Sequence, residues 1–235
     1  MTRTTRDLTK LALLSSLIAC ATPAPDQPPP RPRTLRELYG LAPPTSLERS
    51  KTALLLVDFQ QEFFLGALPL PGAALALSHA KELLAWARRE HVLVVHVQQL
   101  AKQPDSPVFR EGSAQVERAP ALALAANDWL ITKSAAGAFT RTDLDARLRE
   151  RGIRSLVIAG LMTHLAVDSS ARDATLLGYS VVVASDATAT RDLPAADGAG
   201  RLHHADVQRV ALASLADRFA DVATTQTITS WRVAP

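Results

Sequence analysis

The chain has 235 residues, of which 47% are hydrophobic, and this length and composition fit one folded domain with a sizeable core, with or without a tail. Its formal net charge is +3, and residues 1–19 contribute two of those charges. The remaining sequence is nearly neutral and has no arginine stripe or basic patch interleaved with aromatic residues. Nucleic acid is therefore excluded as an expected partner, because its binding surfaces depend on clustered positive charge.

Cysteine and histidine usage gives no indication of a metal or disulfide framework. The sequence contains one cysteine, Cys20, and no group of cysteine and histidine residues has the spacing of metal ligands. His203 and His204 are adjacent, and we expect a solvated or helix-capping pair there rather than a metal site. The sequence also lacks a glycine-rich phosphate loop, so no cofactor is predicted.

Residues 1–20 have the pattern of a secretory signal. A basic start precedes the apolar run 11–19, which is too short to span a bilayer as a helix. The run ends in Leu-Ile-Ala-Cys, which resembles a bacterial lipobox and implies that Cys20 becomes the lipidated first residue. The alternative is an unprocessed apolar N-terminus with an incidental cysteine.

A proline-rich segment follows this signal. Six prolines fall between positions 21 and 32, and such a segment favours the extended conformations that a spacer needs. A short helix is predicted over 34–40. The predicted domain organisation is thus a signal peptide (1–20), a linker with a short helix (21–49) and a folded domain (50–235). It implies a lipid anchor at the periplasmic face of the bacterial envelope. The outer membrane is favoured because Ala21 is not the aspartate that often retains lipoproteins at the inner membrane.

Apolar runs and helical periodicities alternate through the folded domain. Strands are predicted over 52–57, 92–97, 129–132, 155–159, 180–184 and 222–225. Helices are predicted over 72–90, 142–151, 164–177 and 200–219, and residues 100–127 are predicted to be mostly loop. This alternation indicates a three-layer α/β/α domain with a parallel sheet covered on both faces.

Chemistry-bearing residues follow three of the predicted strands. Asp58 ends the first strand, Lys133 ends the third, and the turn 160–168 follows the fourth. Ligands of open parallel sheets bind beyond the carboxyl ends of the strands, where free backbone amides attract negative charge. Separately, these could be a turn-capping aspartate, a solvated lysine and an ordinary tight turn. Their joint occurrence predicts a site.

These segments resemble the isochorismatase-like hydrolases, in order and with compatible spacing over about residues 50–228. The matching segments are 52–60 with Phe63 and Phe64; 133–139 with Thr142 and Leu144; 160–164 with Val167, Asp173, Ala174, Gly178 and Tyr179; 185–187; and 210–215. The resemblance implies a Rossmann-like fold with a six-stranded parallel sheet, and a homo-oligomer. It makes Asp58 and Lys133 catalytic.

The same resemblance implies an oxyanion site. The peptide bond between Leu161 and Met162 would be cis, and the backbone amides of Met162 and Ala166 would stabilise an oxyanion. The candidate substrate contacts in these motifs are Phe64, Gln99, Phe139, Thr163 and His164, with Gln98 as a further polar neighbour of Gln99.

The sequence departs from the family pattern at one position that matters for mechanism. Ala166 stands where most members carry the nucleophilic cysteine, and no cysteine follows Cys20, so thiol catalysis is excluded. The isochorismatases proper carry glycine there. In them a protonated aspartate delivers a proton to the methylene carbon of a vinyl ether, and water then adds. Lys133 should lower the pKa of Asp58 and burial should raise it, and the sequence leaves that balance open.

The sequence therefore predicts a small-molecule hydrolase that uses Asp58 and Lys133 without a cysteine. Two alternatives remain: a binding or scaffold protein that has lost catalysis, and an amidase whose nucleophilic cysteine is replaced by alanine. A nicotinamidase-like enzyme is less favoured, because that group's Asp-x-His metal cluster after the second strand is missing.

Overall fold

A six-stranded, all-parallel sheet organises the fold, as the sequence predicted. The computed structural model describes residues 30–235, and its second compact unit comprises Arg33–Pro235. The predicted signal peptide, Cys20 and residues 21–29 of the predicted linker lie outside the described residues. Within residues 30–235, no helix is both long and apolar enough to cross a membrane.

Ten strands and six α-helices are described between residues 30 and 235. The strands are β1 (Ser46–Glu48), β2 (Thr52–Val57), β3 (Leu93–Gln99), β4 (Trp129–Lys133), β5 (Ser155–Leu161), β6 (Ser180–Ala189), β7 (Leu193–Pro194), β8 (Arg201–Leu202), β9 (Asp221–Ala223) and β10 (Arg232–Ala234). The helices are α1 (Leu35–Leu38), α2 (Ala73–Arg89), α3 (Leu144–Glu150), α4 (Asp168–Leu176), α5 (His204–Arg218) and α6 (Thr225–Ser230).

The main sheet has the strand order β4-β3-β2-β5-β6-β9. Side chains of β2 alternate between two hydrophobic clusters: Leu54 and Leu56 pack on the face covered by α2 and α6, and Leu55 and Val57 on the opposite face. Helices α3, α4 and α5 cover that second face. A strand buried on both faces explains the uninterrupted apolar run at 52–57.

The predicted elements differ from the observed ones mainly at their ends. The helix expected over 164–177 begins as a π-helical turn (Thr163–Val167), and the one expected over 200–219 begins only after β8. The short helix expected over 34–40 is confined to α1. Strand β6 continues five residues past its predicted end at 184, because Gly160 and Leu161 of β5 pair with Thr188 and Ala189 beyond an irregularity in the ladder.

Strands β1, β7, β8 and β10 were not predicted, because segments this short carry no readable periodicity. Strand β1 pairs in parallel with β10, which ties residues 46–48 to the C-terminal segment. Helix α1 packs on α5, and Arg36 forms an ion pair of 2.6 Å with Asp221. The compact unit therefore includes residues ahead of position 50.

Gly160 lies at the close approach of β5 to β2. An ideal Cβ at this position would lie 2.6 Å from the carbonyl oxygen and 2.7 Å from the Cβ of Val57, closer than real Cβ atoms come. Both neighbouring atoms belong to a buried strand that cannot move away cheaply. Glycine is therefore required here by packing, next to the turn that carries Ala166.

We expect Gly160→Ala to lower the free energy of unfolding by about 1–3 kcal/mol, the usual penalty for overpacking a core. Ser155→Ala on the same strand is the matched control. The Ser155 side chain is partly exposed, so its replacement should change the free energy of unfolding by less than about 0.5 kcal/mol. Urea unfolding of both variants measures the difference. Equal stability of the two variants would show that the strands separate easily at Gly160.

Candidate active site

The predicted catalytic residues lie where neighbouring strands end at one edge of the sheet. Asp58 directly follows β2, Gln99 is the last residue of β3, and Lys133 is the last residue of β4. The register places Gln99 beside Lys133. Strand β3 lies between β2 and β4, and this order sets Gln99 between the two charged residues.

A buried ion pair between Asp58 and Lys133 is the centre of the site. The Lys133 ammonium donates to Oδ2 of Asp58 at 2.7 Å, and the Lys133 and Asp58 side chains are only 1% and 4% exposed. The ammonium also donates to Oε1 of Gln99 at 2.8 Å and to the carbonyl oxygen of Ala135 at 3.2 Å. All three of its protons thus have acceptors. Oδ1 of Asp58 is buried and has no partner among the described residues, so it remains free for a substrate or a proton.

Burial decides the protonation of Asp58. Loss of solvent around the carboxylate raises the pKa of Asp58 to about 6, and the charge and hydrogen bond of Lys133 oppose this rise without cancelling it. Asp58 also has a left-handed backbone conformation, with φ of +54°, which is uncommon for a residue other than glycine. Its amide donates to Val97 and its carbonyl accepts from the amide of Gln60, so backbone hydrogen bonds hold that conformation.

Gln60 fixes Gln99 in place, and sequence reasoning missed it as a site residue. Gln60 is fully buried, and its side-chain Nε2 donates to the backbone carbonyl oxygens of Gln99 at 2.9 Å and Val116 at 2.8 Å. Its Oε1 accepts from the backbone N–H of Gln99 at 2.9 Å. The two glutamines at the end of β3 therefore have different roles. Gln99 faces Lys133, whereas the side chain of Gln98 bonds to Val116 and Arg118 in the following loop.

Ala166 lies in the π-helical turn that follows β5. The turn folds back on Met162, whose carbonyl oxygen accepts from the amides of Leu165 and Val167, both at 3.2 Å. The peptide bond between Leu161 and Met162 is cis. Ala166 is 5% exposed and packs in the same cluster as Val57, the residue before Asp58. π-Helical turns are rare and occur frequently at functional sites.

The hydroxyl groups near Ala166 are not equivalent. Ser170 donates to the carbonyl oxygen of Ala166 at 2.6 Å and accepts from the amide of Ala138 at 2.9 Å, so its hydroxyl is fully used in joining two segments. Thr163 is completely buried, and its hydroxyl has no partner among residues 30–235. The buried hydroxyl of Thr163 is thus unpartnered within the described part of the chain, whereas that of Ser170 is not.

The remaining predicted contacts lie around this centre. His164 is half-buried, and its Nδ1 contacts the hydroxyl of Thr190, which lies between β6 and β7. Burial is the main cause that lowers the pKa of His164, and the charge of Arg191 lowers it further. Phe139 lies in the core with its ring 5.9 Å from that of Tyr179. Phe64 is half-buried and packs against the cluster on the α2 face. Of the predicted residues, only Gln99 is hydrogen-bonded to the Asp58–Lys133 pair.

The family model and the sequence relatives of this chain point to the same family. Residues 52–227 match the model of the isochorismatase domain. A secreted isochorismatase effector from Verticillium dahliae is 29% identical over 83% of this chain and 98% of its own length. Maleamate amidohydrolase from Pseudomonas putida is 30% identical over 75% of this chain and 84% of its own.

Solved structures agree with the sequence comparison. The crystal structure of an isochorismatase from Pseudomonas putida has a TM-score of 0.74 and 31% identity, covering 84% of this chain and 99% of that one. A cysteine hydrolase from Pseudomonas syringae pv. phaseolicola has the same TM-score with 29% identity, covering 78% of this chain and 92% of its own. The domain match across most of its length, together with the shared sheet, shows that this chain belongs to the isochorismatase family, and its relatives include proteins named as hydrolases.

Proposed function

We propose that this protein hydrolyses a small molecule with Asp58 as the acid–base group and Lys133 as its electrostatic partner, and without a covalent cysteine intermediate. The observation that carries the proposal is the free, buried Oδ1 of Asp58 on a carboxyl whose pKa is raised to about 6. A group that titrates close to neutral pH is suited to donate and accept protons during turnover.

The proposed chemistry begins with a protonated Asp58. The carboxylic acid donates its proton to the methylene carbon of a vinyl ether, which leaves an oxocarbenium ion. Water adds to that cation and returns a proton to Asp58, and the hemiketal then separates into an alcohol and a ketone. Lys133 and Gln99 hold the carboxyl in position during both transfers, since Lys133 bonds to both residues. The backbone amides of Met162 and Ala166 are the proposed sites for a negatively charged oxygen of the substrate.

A second candidate is an amidase whose nucleophile has been replaced by alanine. Two observations favour it: one relative is named maleamate amidohydrolase, and one similar solved structure is described as a cysteine hydrolase. In that chemistry Asp58 would act as a base rather than as an acid. The methyl group of Ala166 would then mark the place of the missing sulfur.

We further propose that the chain is exported and anchored to the bacterial envelope through Cys20, and that it forms homo-oligomers. The signal-like sequence at 1–20 supports the export proposal. An apolar groove of about 370 Å³ beside His164, lined by Leu193, Leu202, Val207 and Val210, supports self-association. Val210 is 69% exposed in the single chain, as expected of a residue that a neighbouring subunit covers.

The mechanism predicts that the purified chain turns over at least one member of a panel of vinyl ethers, amides and esters. Asp58→Asn should abolish this turnover, because asparagine has no proton of suitable acidity to donate. Ala166→Cys is the comparison variant. Activity that appears only in Ala166→Cys, on amides or esters, would instead establish the silenced amidase. No turnover by any of the three proteins would contradict both enzymatic proposals and favour a binding protein.

A pH profile separates the acid role of Asp58 from a base role. If the protonated carboxyl is required, kcat/KM should fall as the pH rises through about 6, because Asp58 loses its proton above its pKa. In Lys133→Met the falling limb should move to higher pH, because the cation that lowers the pKa of Asp58 is gone. The profile should be recorded between about pH 4 and pH 9 on the best panel substrate. Activity that instead rises with pH through this range would identify Asp58 as the base.

A further inference from the structure

A second cluster of chemistry-bearing side chains lies outside the catalytic centre, where the β7–β8 hairpin meets α5. Asp192 comes directly before β7 and His203 directly after β8, and the antiparallel pairing of Leu193 with Leu202 brings the two ends together. His204 is the first residue of α5. One ligand atom from each of Asp192, His203 and His204 lies within 4.8 Å of the other two.

The candidate ligand atoms of this cluster take part in hydrogen bonds at the start of α5 that a cation would replace; Oδ1 of Asp192, for example, accepts from the backbone amide of His204 at 2.7 Å. Nδ1 of His204 lies 3.0 Å from Oδ1 of Asp192, so these two atoms share one proton that a metal ion could displace. Nδ1 of His203 accepts a long hydrogen bond, 3.3 Å, from the backbone amide of Ala205 and so caps the start of α5; a cation bound at this nitrogen would replace that hydrogen bond. The ring centroids of His203 and His204 lie 4.0 Å apart with their planes tilted by 39°, so the two imidazoles pack against each other.

The charges around the cluster are mixed, since Asp192 is negative whereas Arg201 and the amino end of α5 are positive. Nη1 of Arg201 lies 3.1 Å from Oδ2 of Asp192 and orients the carboxylate, so that Oδ1, which accepts from the amide of His204, is the oxygen turned toward the histidines. The Arg201 side chain is 74% exposed and is free to turn away. The negative charge of Asp192 also offsets the positive end of the α5 dipole.

We propose that Asp192, His203 and His204 form a binding site for a divalent transition-metal ion of the Zn²⁺ or Co²⁺ type. Two imidazoles and one carboxylate suit these ions, with water as the fourth ligand. Ligand atoms around a tetrahedral Zn²⁺ lie about 3.4 Å apart, so ligand atoms that lie within 4.8 Å of one another need to close by at most about 1.4 Å, within reach of side-chain rotations. A bound ion would join both ends of the hairpin to the start of α5.

A bound ion would restrain the chain next to His164. Thr190, which contacts His164, precedes Asp192 by two residues, and the hairpin residue Leu193 lines the groove beside His164. An ion that fixes residues 192–204 therefore restrains the segment that leads to Thr190, the residue that contacts His164. The metal site is independent of the proposed hydrolysis, because none of its ligands is hydrogen-bonded to Asp58 or Lys133 in the described part of the chain.

The test uses untagged full chain that carries Cys20→Ser in every sample, so that no thiol competes for metal. Co²⁺ is titrated into the protein while its visible d–d absorption is recorded, and Zn²⁺ is then added in competition. His203→Asn and Asp192→Asn remove a ligand but keep an oxygen that can cap the start of α5. The matched control is His91→Asn, since His91 is exposed and its φ of +58° is one that asparagine tolerates.

We expect one Co²⁺ per chain, displaced by Zn²⁺, with binding weakened at least about tenfold in His203→Asn and Asp192→Asn but unchanged in His91→Asn. Zn²⁺ should raise the Tm of the parent and of His91→Asn, and not that of His203→Asn. The proposal is overturned if the parent shows no d–d absorption up to about 1 mM Co²⁺. It is equally overturned if both ligand variants bind as tightly as the parent.

Discussion

The burial of one ion pair, Asp58 with Lys133, is the constraint on which the site depends. Removing a carboxylate and an ammonium from water costs several kcal/mol per ion, and the pair persists only where hydrogen bonds replace the lost water. Lys133 obtains them from Gln99 and Ala135, whereas one oxygen of Asp58 obtains none. The unequal compensation leaves the aspartate as the member of the pair that is ready to gain a proton. The structure therefore keeps a reactive carboxyl next to a fully bonded cation.

The rest of the fold keeps the Lys133 ammonium fully hydrogen-bonded while one oxygen of Asp58 has no partner among the described residues. Strand order places Gln99 between the two charges, and Gln60 holds the backbone of Gln99 on both its amide and its carbonyl side. On the other side of β2, Gly160 lets β5 approach closely enough for the π-helical turn to bring Ala166 into the cluster that contains Val57. With alanine in that position, the proposed chemistry is proton transfer by Asp58, with electrostatic stabilisation by Lys133 and the backbone amides.

The sequence was sufficient for the sheet and for the charged residues at its edge, because both follow from local patterns. An apolar run that ends in Asp58, and another that ends at Lys133, locate the carboxyl ends of parallel strands. Gln60 could not be assigned a role in this way, because its importance depends on reaching across to β3. Asp192 and His203 are eleven residues apart in the sequence, and only the hairpin makes them neighbours. Strands β1 and β10 pair across nearly the whole domain and are too short to show periodicity.

The protonation state of Asp58 is the most direct test. Protein labelled with ¹³C at the aspartate carboxyl groups can be titrated by NMR, with Asp58→Asn identifying the signal of interest. We expect one carboxyl signal, missing in the variant, to titrate near pH 6, in accordance with its burial. A signal for Asp58 that titrates at or below the ordinary aspartate pKa of 3.8 would mean that Lys133 outweighs burial, and it would contradict the acid role of Asp58.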